Sequence, residues 1–319
     1  MNTRCVFMGT PEFALPILES LLRSPYYDVV AVYSQPDRPA GRGRVLSSPR
    51  TKDLAMKHKI PVIQPNSLKS AGVVQELARL QPELIVVAAF GYILPREVLS
   101  LPRFGCLNVH PSLLPKHRGP SPVADTILCG DVFAGVTIML MEEALDSGPI
   151  LAQRKVAISA LDNTGSLTHK LASAGAELLM EALPEWLEGR LKPQAQDEDG
   201  ATYSKLIASR DGELDWHLTA VGLWRRVRAF NPWPGCYTWW KGKRLKIHSG
   251  TPLGDRAKGE IGEVVALPKS APARVGVVAG KGILGLWQVQ LEGKREMSAD
   301  EFMRGQRDFV GSSLLRLGQ

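Results

Sequence analysis

The sequence predicts an α/β domain with a mainly parallel sheet, followed by a small β-barrel domain. Three observations predict this. Through residue 189, short apolar runs alternate with helix-periodic stretches, the pattern of β-α units that wind a parallel sheet. From Cys236 onward the runs are short and rich in β-formers, separated by Gly, Pro and Lys turns, as in a small barrel of the oligonucleotide-binding kind. Charge divides along the same line: residues 1–200 hold 20 basic and 21 acidic groups, a net of −1, while residues 201–319 hold 19 and 11, a net of +8.

Each element has its own signal. Arg4 to Gly9 is a short apolar strand, followed by an apolar periodic stretch from Pro11 to Leu22. Asp28 to Gln35 is a second strand and Pro61 to Gln64 a weaker third. Glu83 to Phe90 is an unbroken apolar run, as expected of a central strand covered on both faces. Gly105 to His110 and Gly135 to Met141 add two more strands. Helical periodicity fits Lys52–Lys59, Val73–Leu80, Pro122–Cys129 and Gly165–Leu187. The polar stretch from Arg190 to Gly200 has little apolar surface to bury and reads as a linker. A helix over Leu218–Phe230 then precedes strands at Cys236–Trp240, Leu245–His248, Gly262–Ala266, Val275–Ala279 and Leu284–Leu291, with a short helix starting near Ser298. The expected organisation is a first domain over 1–189, a linker over 190–204 and a basic domain over 205–319.

Composition excludes several classes. With 44% apolar and 22% charged residues, the chain is ordinary for a globular protein and unlike a disordered or collagenous one. No apolar run approaches the ~20 residues of a membrane span, and no leader precedes the first strand, so a cytoplasmic location is expected. The four cysteines (Cys5, Cys106, Cys129, Cys236) are far apart, which argues against a disulfide framework, and no His/Cys group has the spacing of a metal site.

A dinucleotide site fails on its fingerprint. Gly9-Thr10-Pro11-Glu12-Phe13-Ala14 lacks the later glycines that close pyrophosphate approach requires. The stretch Cys106 to Pro115 offers more. Asn108 and His110 are two apart on a strand and share a face, and Pro111 stops that strand at a carboxyl edge, where α/β sites form. A carboxamide and an imidazole can together stabilise an oxyanion growing on a carbonyl, although a strand-end pair satisfied by backbone hydrogen bonds fits the same pattern. Asp146, beside the Gly148-Pro149 turn, is the candidate carboxylate to orient or charge the imidazole, while Glu142 and Glu143 are expected to face water.

Two basic features remain. The connection from Gln35 to Pro49 is longer than usual for a β-α unit and carries Arg38, Arg42 and Arg44. Guanidinium groups in such a loop suit phosphates and unpaired bases, and a tolerated insertion reads the same way. Between Trp216 and Gly250 there is no acid, while Arg225, Arg226, Arg228, Lys241, Lys243, Arg244 and Lys246 supply seven cations among five tryptophans. Such a block attracts polyanions; as a solvated face it would serve solubility alone.

Taken together, the stretches Phe7–Ala14, Gln35–Arg44, Leu107–Pro122, Leu145–Leu151 and Phe230–Thr238 resemble the methionyl-tRNA formyltransferase family, a branch of the folate-dependent formyltransferases. The resemblance implies a Rossmann-like formyltransferase domain joined to an OB-like barrel. It implies transfer of a formyl group from 10-formyltetrahydrofolate to the α-amino group of methionine on initiator tRNA. By match to the motifs, Asn108, His110 and Asp146 form the catalytic set, in which the charge of Asp146 would favour the imidazolium form of His110, whose protonation state the sequence leaves open. Ser112, Leu113, Leu114 and Pro115 match the folate segment, and Phe90, Gly91, Tyr92, Ile93 and Leu94 line its pterin side. Arg38, Arg42 and Arg44 match the loop that meets the tRNA acceptor end, and Arg225, Arg228, Lys241, Lys243, Arg244 and Lys246 its basic domain. His117 departs from the usual pattern, and its role stays open. The expected partners are charged initiator tRNA and the folate, with no metal, no membrane and a monomeric chain. The alternative is an enzyme of this fold that formylates an amino-sugar nucleotide. A glycinamide ribonucleotide transformylase would not need the last 119 residues, and a non-catalytic RNA-binding protein would not need the Asn108, His110 and Asp146 set.

Overall fold

A computed structural model describes residues 2–40, 45–254 and 259–314. They fall into two compact units, one made of Met1–Pro122, Val132–Ile158 and Leu167–Lys205, the other of Val123–Asp131, Ser159–Ser166 and Leu206–Gln319.

The chain runs β1 (Thr3–Gly9), α1 (Ala14–Arg23), β2 (Tyr27–Tyr33), β3 (Arg38–Ala40), β4 (Val45–Ser47), α2 (Arg50–Lys57), β5 (Val62–Ile63), α3 (Ala71–Arg79), β6 (Leu84–Ala88), α4 (Arg96–Leu99), β7 (Cys106–His110), α5 (Pro122–Cys129), β8 (Phe133–Leu140), β9 (Ile150–Ala157) and α6 (Thr164–Leu187). The large sheet has the order β5-β2-β1-β6-β7-β8-β9. Its pairings are parallel from β5 to β7 and antiparallel at β7-β8 and β8-β9. The mainly parallel α/β sheet expected from the alternating pattern is therefore present. Every residue of β6 and β7 is buried, consistent with central strands covered on both faces. Helix α1 buries Ala14, Ile17, Leu18 and Leu21, the spacing of one helical face.

Several elements escape the sequence pattern, β9 and the β3-β4 pair among them. β9 extends the sheet beyond the expected strands, and its alternating half-buried residues are those of a strand with one face toward water. The arginine-bearing connection holds an antiparallel pair, β3 with β4, Arg38 opposite Ser47. The Arg190–Gly200 stretch, expected as a linker, is bonded into the first unit: Ile150 and Gln194 exchange both backbone hydrogen bonds.

The second unit includes a short 3-10 turn (Ser209–Gly212), α7 (Ala220–Ala229), β10 (Cys236–Trp240), β11 (Lys243–Leu253), β12 (Val264–Ala266), β13 (Val275–Val278), β14 (Ile283–Leu291), β15 (Met297–Ser298) and α8 (Ala299–Gly305). Its antiparallel sheet, ordered β10-β11-β14-β13-β12 with β15 on β14, curls as a half-barrel of OB-like form. Register shifts between Ile247 and Gly250 supply irregularities that bend β11. Trp240, Phe302 and Phe309 meet edge to face, with centroids 4.9–5.5 Å apart, an arrangement that suits the ring quadrupoles. Thr219 and Ser298 cap α7 and α8 by accepting from Gly222 and Glu301 N–H groups.

Candidate active site

Asn108 and His110 stand at the carboxyl end of β7, on one face of the strand. Val109, between them, faces the other way and packs against α6, where a Cβ at Gly175 would come within 2.9 Å of Val109 Cγ1. Glycine there lets the helix lie close, and that packing fixes which face of β7 the polar pair occupies.

Asp146 arrives from the connection between β8 and β9. It has φ 50°, a left-handed conformation that Asp adopts more readily than most residues but still needs support. Gly148 makes the turn possible, because a Cβ there would lie 1.9 Å from the Leu140 carbonyl oxygen. Asn108 Nδ2 donates to Asp146 Oδ1 over a long 3.5 Å. His110 Nδ1 lies 3.7 Å from Asp146 Oδ2, and the Gly119 N–H donates to that same oxygen at 2.8 Å. The three side chains thus converge at the end of β7.

The His110 ring is 4% exposed. Nε2 lies 3.2 Å from the His117 carbonyl oxygen, so an N–H at Nε2 has its acceptor and Nδ1 keeps its lone pair. Burial lowers the His110 pKa below 6.5, and the Asp146 carboxylate, which pulls the other way, only partly offsets this. The sequence leaves the protonation state of His110 open, and burial here acts against the imidazolium that the Asp146 charge would favour. The resting ring is neutral near pH 7, because desolvation outweighs a carboxylate that is near but not hydrogen-bonded. His117, whose role sequence left open, supplies a backbone carbonyl to His110.

The Ser112–Pro115 segment, expected by resemblance to meet the folate, is held from within. Ser112 Oγ donates to Lys116 O at 2.7 Å, and Thr137 Oγ1 donates to Ser112 O at 2.7 Å. The Leu114 N–H donates to Thr137 Oγ1, and Gln153 Nε2 donates to Leu114 O. Leu113 lies over Gly135, Leu114 is buried and Pro115 is half-buried. In the Phe90–Leu94 stretch, expected by resemblance to line the pterin, Phe90 and Leu94 belong to the core and anchor the loop. Gly91 and Ile93, the latter 70% exposed, present its surface.

The expected nucleic-acid residues separate into two groups. Lys243, Arg244 and Lys246 are exposed on β11, and the Arg244 guanidinium lies 4.7 Å and 5.4 Å from the Tyr237 and Trp239 ring centroids. Arg38 is exposed on β3. Lys241 is exposed and pairs with Asp308. Arg225 and Arg228 instead bond to backbone carbonyls. Arg225 donates to Cys129 O at 3.2 Å, and Arg228 donates to Asp162 O and Ser159 O at 2.6 and 2.8 Å while stacking on Trp224. Arg42 and Arg44 lie outside the described residues.

Comparison with known proteins decides the family. Residues 3–183 match the formyl transferase model and residues 206–307 match the formyl transferase C-terminal domain. The methionyl-tRNA formyltransferase of Bacillus pumilus (strain SAFR-032) is 44% identical over 98% of this chain and 97% of its own. The chain belongs to the methionyl-tRNA formyltransferase family. The Methylococcus capsulatus (strain ATCC 33009 / NCIMB 11132 / Bath) member of the family is 46% identical over 94% of this chain and 96% of its own. At fold level, the chain also resembles WlaRD, a sugar 3N-formyl transferase crystallised with dTDP and 5-N-formyl-THF. That match has a TM-score of 0.63 at 17% identity and covers 92% of this chain and 99% of WlaRD.

Sequence reasoning missed the groups that hold Asp146 from behind. Gln196 Nε2 donates to Asp146 O and Gly148 O, and Arg118 is buried beside it. No local pattern marks such residues, since their partners lie some fifty to eighty positions away.

Proposed function

We propose that this chain transfers the formyl group of 10-formyltetrahydrofolate to the α-amino group of methionine esterified to initiator tRNA. The observation that carries the reading is the convergence of Asn108, His110 and Asp146 at the end of β7, in a chain 44–46% identical to methionyl-tRNA formyltransferases over nearly its full length.

The polar groups fit a formyl donor. The folate supplies an activated formyl carbon as co-substrate. Among the described residues, the Asn108 carboxamide donates only to Asp146, which leaves an N–H to bind the formyl oxygen as charge gathers there. Neutral His110, with a lone pair at Nδ1, takes the proton that the attacking amine releases and returns it to the folate N10 as the formyl C–N10 bond breaks and tetrahydrofolate leaves. The imidazolium so formed sits 3.7 Å from Asp146, and the carboxylate stabilises it in a site from which water is largely excluded. The exposed Gly91 and Ile93 and the Ser112–Pro115 segment would hold the folate. No helix among the described residues is long and apolar enough to cross a membrane.

The catalytic domain is assigned to 1–189 and the tRNA-binding domain to 205–319, supported by the two family matches and the acid-free basic stretch. The reading places the enzyme in the cytoplasm as a monomer, with Arg38, Arg42, Arg44, Lys241, Lys243, Arg244 and Lys246 toward the tRNA. A formylation assay with methionyl initiator tRNA, methionyl elongator tRNA and an amino-sugar nucleotide tests it. Turnover should be confined to the initiator tRNA, and preference for the sugar would overturn the reading.

A further inference from the structure

Asp146 is gripped from two sides by groups that the reaction itself does not use. Its carboxylate accepts from the Gly119 N–H at 2.8 Å, and its backbone carbonyl accepts from Gln196 Nε2 at 2.9 Å. The same Nε2 donates to Gly148 O at 2.7 Å, so one carboxamide bridges both ends of the Asp146 turn.

What fixes that carboxamide is Arg118. Its side chain is 1% exposed, and its Nε and Nη2 donate to Gln196 Oε1 at 3.0 and 2.8 Å. Pinning the amide oxygen leaves the amide nitrogen one direction to face, toward the two turn carbonyls. Arg118 is itself held by Glu198 at 3.0 and 2.8 Å and by the Tyr203 hydroxyl at 3.0 Å. Its backbone is tied to Thr202 and Ser204. Its two neighbours in sequence complete the frame: the His117 carbonyl meets His110 Nε2, and Gly119 meets Asp146. A left-handed residue such as Asp146 persists where its surroundings over-determine it, and these hydrogen bonds do so.

We infer that Arg118 and Gln196 are positioning residues for formyl transfer: the guanidinium orients the Gln196 amide, and the amide sets the turn that aims Asp146 at Asn108 and His110. The inference rests on the formyl-transfer reading above and deepens it. It makes the 190–204 stretch part of the catalytic framework.

Gln196→Glu is the test. It keeps the length of the side chain and an acceptor for Arg118, but turns an oxygen toward two carbonyls that need a donor. Expected are a fall in kcat of about 10- to 100-fold, as for a misplaced catalytic group, unchanged KM values for 10-formyltetrahydrofolate and charged tRNA, an unchanged urea midpoint, and a crystal structure with the Asp146 carboxylate displaced from His110. Arg118→Lys keeps the charge facing Glu198 but not the fork on Gln196. It should lose kcat similarly, and the double variant should lose no more than the worse single one, because both act through one element. Wild-type kcat in Gln196→Glu, an unmoved Asp146, or a joint loss of kcat, both KM values and the urea midpoint overturns the inference. Should Arg118→Lys fail to fold, Gln196→Glu decides alone. A wild-type enzyme that formylates no tRNA would defeat the activity reading instead, and the crystal structure would then decide the positioning role.

Discussion

One carboxylate oxygen, Asp146 Oδ2, accepts the Gly119 N–H at 2.8 Å and lies 3.7 Å from His110 Nδ1. The backbone bond holds the carboxylate at a distance where it attracts a charged imidazole without binding a neutral one. Asp146 therefore does most when His110 becomes protonated, the condition for stabilising a transition state more than a ground state.

That relationship sets the first prediction. Asn108→Ala removes a donor to the formyl oxygen, and Asp146→Ala removes the counter-charge to the imidazolium. Each should slow single-turnover formyl transfer by about 10²–10³, or about 2.7–4 kcal/mol, the usual cost of one such group. Filter binding should show tRNA affinity within about twofold of wild type. A near-normal transfer rate in either variant would remove that residue from the catalytic set.

The second prediction concerns pH. His110 titrates below 6.5 in the folded chain because burial penalises its charged form. Between the folded value and 6.5 the unfolded chain binds more protons than the folded one, so stability rises with pH across that window and is fully present above 6.5. Imidazole NMR of the free enzyme should give a His110 midpoint under 6.5. Urea unfolding should show His110→Asn losing less stability than wild type as pH falls from about 7.5 to 5, over the window that burial of the imidazole sets. A midpoint above 6.5 would show that Asp146 outweighs burial.

Much of this centre is legible in the sequence, and the reason is local. Period-two alternation with a terminating proline puts Asn108 and His110 on one face of β7, and a Gly-Pro turn marks Asp146. What is not legible acts across distance. The 190–204 stretch reads as a linker because it buries little apolar surface, yet it is anchored by one buried arginine, Arg118, which donates hydrogen bonds to Gln196, Glu198 and Tyr203. Hydrogen bonding of this kind leaves no periodicity. The seven cations of the basic stretch also look alike in sequence. Only their surroundings separate Arg228, bonded to two carbonyls, from Lys243 and Lys246, which face water.

This separation gives the third prediction. Lys243→Ala and Lys246→Ala should weaken tRNA binding and lower the slope of log K against log salt by about 0.7–0.9 for each phosphate left without its lysine, with melting unchanged. Arg228→Ala should instead lower the melting temperature, because it strips donors from two carbonyls and uncovers Trp224. Titrations at several salt concentrations beside thermal melts resolve the two. A destabilised Lys243 variant, or an Arg228 variant that changes the salt slope alone, would reverse the assignment.

The fourth prediction uses the thiols. Cys5, Cys106 and Cys236 are buried, and desolvation pushes each thiol up to about 12, so almost no thiolate exists near pH 8. Cys129 is exposed. A thiol-disulfide exchange reagent should therefore modify one cysteine quickly in the native enzyme, identified as Cys129 by peptide mass, and the other three only after denaturation. Because the thiolate is the attacking species, the buried three should stay protected as pH rises from 7 to 9. Their exchange should follow the opening of the two cores, so denaturant should accelerate Cys5 and Cys106 together in the first unit and Cys236 in the second. Rapid labelling of Cys106 in the native state would place an opening beside β7 and contradict the close packing that aims Asn108 and His110.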